Sequence, residues 1–407
     1  MRIAFDGTTL RPGRTGVGYY TEHLLQHLAL ETGGNEVIVV SNRAIETSAP
    51  LPPEVQVARN YVFPLRLPWM QFVAPRMLDE LDADVAHFTN SMVPLASPIP
   101  TVVTIHDMSL TLYPQYHPVR RVLLNRPLVN LAARRVDAII TVSHSARRDI
   151  LRLYNVPPDR VRVVHEAAAP AFQPISDAAR LDDVRRRYGL PARFILYVGT
   201  IEPRKNLPRL LDAFARRRRC GDLSHTLVCV GRYGWRARDV ERAVERLGLA
   251  GTIRFLGYVP HADLPALYNL AETFVFPSLH EGFGLPVMEA MACGVPVVVG
   301  RNSSLVEIAG DAAETVDATD VDAIGAALVR LARDRDGRLE RGRRGLARAR
   351  AFSWRHAARE TLDVYHWVAD RAGTAPVLEP RPAAVGGLGF DDLAGRHATA
   401  EQQAPWT

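Results

Sequence analysis

The 407-residue chain is 47% apolar and 23% charged, a balance that excludes a disordered or membrane-embedded chain, and its length asks for two domains rather than one core. Its formal net charge of +6 raises nucleic acid or an anionic membrane as a partner. The arginines, however, come in short helical clusters such as Arg134-Arg135 and Arg216 to Arg219, without the interleaved aromatics of a nucleic-acid surface, so nucleic acid is set aside.

In chain order, strand-length apolar runs are expected at 3–5, 37–40, 85–88, 101–105, 138–142 and 161–164, then at 194–198, 226–230, 253–256, 273–276 and 295–299. Helical patterns over 20–30, 125–135, 145–153, 207–218 and 238–247 lie between them. Alternation of this kind means parallel sheets covered on both faces, and two groups of strands mean two doubly wound α/β domains. The boundary belongs in the unpatterned stretch from Glu166 to Pro174. The expected division is therefore a first domain at 1–170, a second at 171–353, a helix at 354–371 with Ser353 as N-cap, and a disordered tail at 372–407 rich in Ala, Pro and Gly.

Three cysteines, Cys220, Cys229 and Cys293, show no metal-ligand spacing and suit a reducing compartment. The start of the chain reaches Asp6 before any leader-like core, and no apolar run approaches spanning length, so a cytoplasmic location is expected. The segment 61–78 is apolar and aromatic with scattered arginines. It either packs into the first core, the simpler reading, or turns Trp69 and Phe72 toward a lipid surface.

Several positions carry chemistry. Thr15-Gly16-Val17-Gly18-Tyr19 follows the first strand but lacks the third glycine of a dinucleotide fingerprint, and a simple turn explains it equally well. His106-Asp107 ends the strand 101–105 at its carboxyl edge, where open parallel sheets bind ligands; a capping Asp beside a surface His is the plain alternative. Ser143-His144-Ser145 reads as a helix N-cap. Lys205, within Glu202-Pro203-Arg204-Lys205-Asn206, is the one lysine among 50 basic side chains. It stands where a strand end runs into a helix, a natural seat for phosphate.

The most specific segment runs from His280 to Pro296 and contains Glu281-Gly282-Phe283-Gly284-Leu285-Pro286 and Glu289. Its two glycines permit close backbone approach, and Pro286 suits the first turn of a helix that Gly294 ends. The free N–H groups of that helix favour an anion. A glycosidase pair is a poor fit, because both carboxylates come from one side of the cleft.

These segments, with Gly257-Tyr258-Val259-Pro260, resemble the retaining glycosyltransferases of family 4, which have the GT-B architecture, from Asp6 to about Tyr365. The resemblance implies two Rossmann-like domains facing across a cleft, an amino-terminal acceptor domain, a carboxyl-terminal donor domain, and a final helix crossing back to the first. It implies that Arg204 and Lys205 neutralise a nucleotide diphosphate, that Glu281 and His106 meet the donor sugar, and that Glu289 meets the ribose. Main-chain groups of Gly282, Phe283, Gly284 and Leu285 would face sugar and phosphates, Tyr258 and Val259 the base, and Gly16 and Gly18 the donor phosphate. Thr200 stands where many members have arginine after the strand glycine, and Arg204 would supply that charge. No metal and no resident cofactor are implied, and no Asp-x-Asp pair ends a strand: Asp82-Ala83-Asp84 precedes one.

The expected partners are a nucleotide-sugar donor, a glycan or lipid-linked glycan acceptor, and an anionic membrane surface. Phrases such as Gly-Thr-Ile-Glu-Pro-Arg-Lys-Asn look most like GDP-mannose-dependent enzymes of surface polysaccharide synthesis, with UDP-glucose the rival donor. A nucleotide-sugar epimerase or hydrolase, and a catalytically silent binding protein, remain the readings from other classes.

Overall fold

The computed structural model describes residues 1–31 and 33–374. Apolar runs too short for helices and too hydrophobic for either face to meet water build two sheets. In the first, β1 (Arg2–Asp6), β2 (Glu36–Ser41), β3 (Val55–Arg59), β4 (Val85–Phe88), β5 (Thr101–Ile105), β6 (Ala138–Thr141) and β7 (Val161–Val163) lie in the order β3-β2-β1-β4-β5-β6-β7. In the second, β8 (Phe194–Val198), β9 (Thr226–Val230), β10 (Ile253–Gly257), β11 (Thr273–Phe276), β12 (Val297–Gly300) and β13 (Glu314–Val316) lie in the order β10-β9-β8-β11-β12-β13.

Every pairing is parallel, with Ile3 opposite Val37 in one sheet and Ile195 opposite Leu227 in the other. Strand order reverses beside β1 and beside β8, so each sheet opens a crevice at its carboxyl edge. This is the GT-B arrangement of two Rossmann-like units.

The sequence pattern misses β3 and β13. Both are edge strands, and edges are kept short and polar to discourage further pairing: β3 is half-exposed Val-Gln-Val-Ala-Arg, and β13 has three residues. β12 begins two residues later than expected, after Pro296, whose carbonyl accepts from Phe274 N–H. The helix expected over 20–30 is Gly16–Glu31, so Gly16 and Gly18 form its first turn rather than a preceding loop. The helix expected over 125–135 is Val119–Arg135, which passes through Pro127.

The last helix, Trp354–Thr374, returns to the first domain, with Ser353 accepting from His356 N–H at 3.1 Å. It includes 372–374, expected to fall in the tail, and Arg371 stacks on Trp367 one turn back. The rest of the tail lies outside the described residues. Trp354 meets the rings of Tyr20 and His23, and Arg359 Nε donates to Glu31 at 2.6 Å.

Deeper in, Tyr365 Oη lies 2.6 Å from His87 Nδ1, whose Nε2 lies 2.7 Å from Thr104 Oγ1. Burial pushes the pKa of His87 down to about 3, so the ring is neutral and uses one nitrogen as donor and one as acceptor. Tyr365→Phe leaves one of those buried nitrogens without a partner. It is expected to cost roughly 1–3 kcal/mol, read as a lower thermal midpoint; an unchanged midpoint would mean that the helix docks without this bond.

Candidate active site

Lys205 and Arg204 are aimed by the turn that carries them. After β8 the chain makes a single 3-10 turn, Pro203–Lys205, and Asn206 follows in the left-handed conformation at φ 62°. Asn206 Nδ2 donates to the carbonyls of Pro277, at 3.0 Å, and Ala318, at 2.6 Å, pinning the turn to neighbouring loops. The helix Leu207–Arg219 starts immediately. Both cations therefore point back over the sheet edge toward Glu281.

Glu281 receives them. Lys205 Nζ donates to Oε1 at 2.6 Å and Arg204 Nη1 to Oε2 at 2.9 Å, while Ser278 Oγ adds a bond to Oε1 at 2.6 Å. Arg204 also holds the His280 carbonyl and Glu202 Oε1. Burial disfavours the Glu281 carboxylate, but the charges of Arg204 and Lys205 override it and bring its pKa down to about 2. Burial pulls Lys205 below the usual lysine value, against the charge of Glu281; Arg204, despite burial, is raised by Glu281, Asp107 and Glu202. The group is an ion cluster in which each cation already has an acidic partner.

Beyond Glu281 the chain turns at Gly284, which sits at φ 102° with Leu305 where a side chain would project, and enters the helix Leu285–Ala292 with Pro286 in its first turn. Ser304 Oγ reaches the carbonyls of Glu281 and Phe283, both at 3.0 Å, and Ser303 Oγ accepts from Glu281 N–H at 3.0 Å.

The opposite wall closes tightly on this loop. A Cβ on Gly282 would sit 1.8 Å from the His106 carbonyl oxygen, so only glycine permits the approach. Ser143 Oγ donates to the Gly282 carbonyl at 2.6 Å while accepting from Ala146 N–H, which confirms its N-cap geometry. The His106 ring is fixed between the Thr89 carbonyl, 3.0 Å from Nε2, and Glu166 Oε1, 3.2 Å from Nδ1. Asp107 caps the following turn through Ser109 N–H at 2.9 Å. Tyr19 stacks on His261 across the cleft, ring centres 4.2 Å apart.

Between the walls lies a cavity of about 540 Å³. Its lining brings together Gly16, His106, Arg204, Lys205, Tyr258, Val259, Glu281, Gly282, Phe283, Gly284 and Leu285 from the sequence-derived set. Gly18 and Glu289 are not among the lining residues. Gly18 packs against Thr9 and Arg14, whose atoms leave no room for a side chain. Glu289 bonds Tyr268 Oη at 2.9 Å, and burial pushes its pKa up to about 8.

The sequence reading missed Arg232, which follows β9 and lies 4.5 Å over the Tyr258 ring, and Glu166, read only as linker. Arg14, Arg121 and Glu202 also line the cavity. The position of Arg232 after Val230-Gly231, at a strand's carboxyl end, was the available signal. Glu166 offered none, since its partner lies 60 residues upstream. A larger groove of about 700 Å³ runs beside β7 and the last helix and contains none of these groups. Among the described residues, the side chains placed to share a metal ion are His144, His165 and Glu307, also outside the cavity lining.

Fold and cleft are those of a two-domain sugar transferase. Residues 14–170 match the family described as "Glycosyltransferase Family 4", and residues 183–348 match "Glycosyl transferases group 1". The O-antigen chain mannosyltransferase B of Escherichia coli is 41% identical over 265 residues, 65% of this chain and 69% of that protein. The serotype-specific mannosyltransferase WbdA of Escherichia coli is 34% identical over 56% of this chain, which spans 28% of that longer protein. Sucrose-phosphate synthase from Thermosynechococcus elongatus shares the fold with a TM-score of 0.73 at 21% identity, covering 91% of this chain and 100% of that one. The chain belongs to the group 1 and family 4 glycosyltransferases, and its relatives include an O-antigen chain mannosyltransferase and a serotype-specific mannosyltransferase.

The contact at Gly282 yields a test. Gly282→Ala forces the loop off the His106 carbonyl and is expected to cut transfer at least roughly tenfold, since small misplacements at a reacting centre are costly, while each domain stays folded. Transfer at the wild-type rate would show that the two walls need not close this far.

Proposed function

We propose that the protein is a retaining, metal-independent mannosyltransferase that moves mannose from GDP-mannose to a glycan or lipid-linked glycan in surface polysaccharide synthesis. The observation that carries this reading is the placement of Arg204, Lys205 and Glu281 in one cavity beside the opening of the helix Leu285–Ala292. Mannose as the sugar is supported by the mannosyltransferase relatives, the first of which, an O-antigen chain enzyme, shares 41% identity.

In this reading the bond between the sugar and the diphosphate breaks as an acceptor hydroxyl bonds the same carbon from the same face and passes its proton to the departing phosphate oxygen. Negative charge gathers on the departing phosphate oxygens, and the sugar takes on oxocarbenium character. Arg204, Lys205 and the N–H groups of Gly284 and Leu285 at the helix opening stabilise the former. These cations supply the charge that a divalent ion supplies elsewhere, and the donor is a substrate, so no resident cofactor is called for. Because Glu281 holds both cations, an entering diphosphate shares them with it, and the carboxylate is left facing the sugar. Glu289, with its Tyr268 bond, is assigned to the ribose, and Tyr258 with Arg232 to the base.

A donor panel scored by thermal shift tests the assignment, since a ligand bound to the folded state raises its stability by mass action. GDP-mannose is expected to shift the midpoint more than GDP, UDP-glucose or UDP, and chelators are expected to leave turnover unchanged. Lys205→Ala removes most of the GDP shift. Glu281→Gln keeps it, because the amide oxygen still accepts from Lys205, but loses the increment due to the sugar. Equal shifts from GDP-mannose and GDP in the wild type would refute the role given to Glu281.

The acceptor side points to a membrane face. Trp69 and Met70 are buried, but Tyr61, Val62, Leu65 and Phe72 are exposed, as are Val119, Leu123 and Leu124 beside Arg120 and Arg121. No helix among the described residues is long and apolar enough to cross a membrane. Exposed apolar side chains next to cations suit the surface of an anionic bilayer. Binding to anionic liposomes is expected to exceed binding to neutral ones and to weaken with salt; equal binding to both would remove the membrane from the proposal.

A further inference from the structure

The seam between the domains holds a carboxylate that the proposed chemistry does not use. Glu307 lies on the helix Ser303–Ala309 of the second domain and reaches across to the first. Its Oε1 accepts from His144 N–H and its Oε2 from Ser145 N–H, both at 2.9 Å. His165 Nε2 lies 2.9 Å from Oε1. These amides open the helix His144–Tyr154 of the first domain, where the backbone leaves N–H groups unpaired and partial positive charge collects. A carboxylate from one domain thus completes the helix cap of the other, beside the Ser143 cap that already bonds Gly282.

The helix that carries Glu307 is fixed at both ends. At its start, Ser303 and Ser304 hold the backbone of Glu281 and Phe283. At its far end, Arg348 donates to the carbonyls of Glu307, at 2.8 Å, and Ile308, at 3.0 Å. Seven residues therefore join the interdomain grip rigidly to the loop that carries the donor-facing carboxylate.

We propose that Glu307 is a positioning residue: by gripping the helix His144–Tyr154 it sets how closely the loop Glu281-Gly282-Phe283 approaches the His106 carbonyl, and so couples domain closure to the reacting geometry. The kinetic part of this proposal rests on the transfer reaction proposed above; the closure part does not.

The test compares full-length wild type with Glu307→Ala and Glu307→Gln in three measurements: steady-state transfer from GDP-mannose, calorimetric binding of GDP, and the radius of gyration from solution scattering. Glu307→Ala is expected to lower kcat roughly tenfold to a hundredfold, the loss that follows from a misplaced reacting centre, while KM for the donor and Kd for GDP stay within about threefold, because the diphosphate groups lie in one domain. Its radius of gyration rises. Glu307→Gln, which keeps one acceptor oxygen, falls between the two. Wild-type kcat and an unchanged scattering profile in Glu307→Ala would overturn the proposal. So would a loss of GDP binding in step with activity, the mark of a folding defect. Should the wild type transfer sugar from no donor, the proposed function fails, and the scattering comparison still decides whether Glu307 holds the domains together.

Discussion

Two cations and one carboxylate share a nearly dry space at the mouth of the second domain, and much of the cleft is arranged to keep them satisfied. Glu281 meets Lys205 at 2.6 Å and Arg204 at 2.9 Å, with side chains only 8–12% exposed. Burying such a group earns little stability by itself, because desolvation offsets much of the attraction, and removing one partner leaves an uncompensated charge. What it secures is position. The Asn206 turn, the Ser278 hydroxyl and the two serines that open the helix Ser303–Ala309 all fix atoms of this group or of the loop that bears it.

Position matters because the two halves of the site come from different domains. The first domain contributes the His106 carbonyl, the Ser143 hydroxyl and the wall containing Gly16; the second contributes the cations and the glycine loop. Polar contacts between domains resemble a transient interface and permit relative motion. A group such as Gly282, which tolerates no side chain only while the halves are together, reports a closed arrangement. The returning helix Trp354–Thr374 ties the last described segment to the first sheet through Tyr365 and His87, so the connection at 166–174 is not the only link between domains.

The sheets were legible in the sequence because central strands such as Phe194–Val198 are apolar on both faces. β3 and β13 were not, since an edge strand has one neighbour and less need for apolar residues. Among site residues, Lys205 stood out against an arginine background and Gly282 and Gly284 by their spacing, each a local signal. Glu166, Glu307 and Arg232 act through partners far away in sequence, and no local pattern marks a residue whose role exists only after folding. The bond that ties Glu289 to Tyr268 was equally invisible from helical spacing alone.

The solitary ammonium group has a practical consequence. Because every other basic side chain is arginine, a reagent that acylates amines finds a single side-chain target in the whole sequence. That nitrogen is largely buried against an acid and the face of Phe276, 5.0 Å from its ring centre. The protein thus carries a built-in chemical reporter at the floor of its own cleft, whose rate of labelling follows occupancy there without any engineered probe.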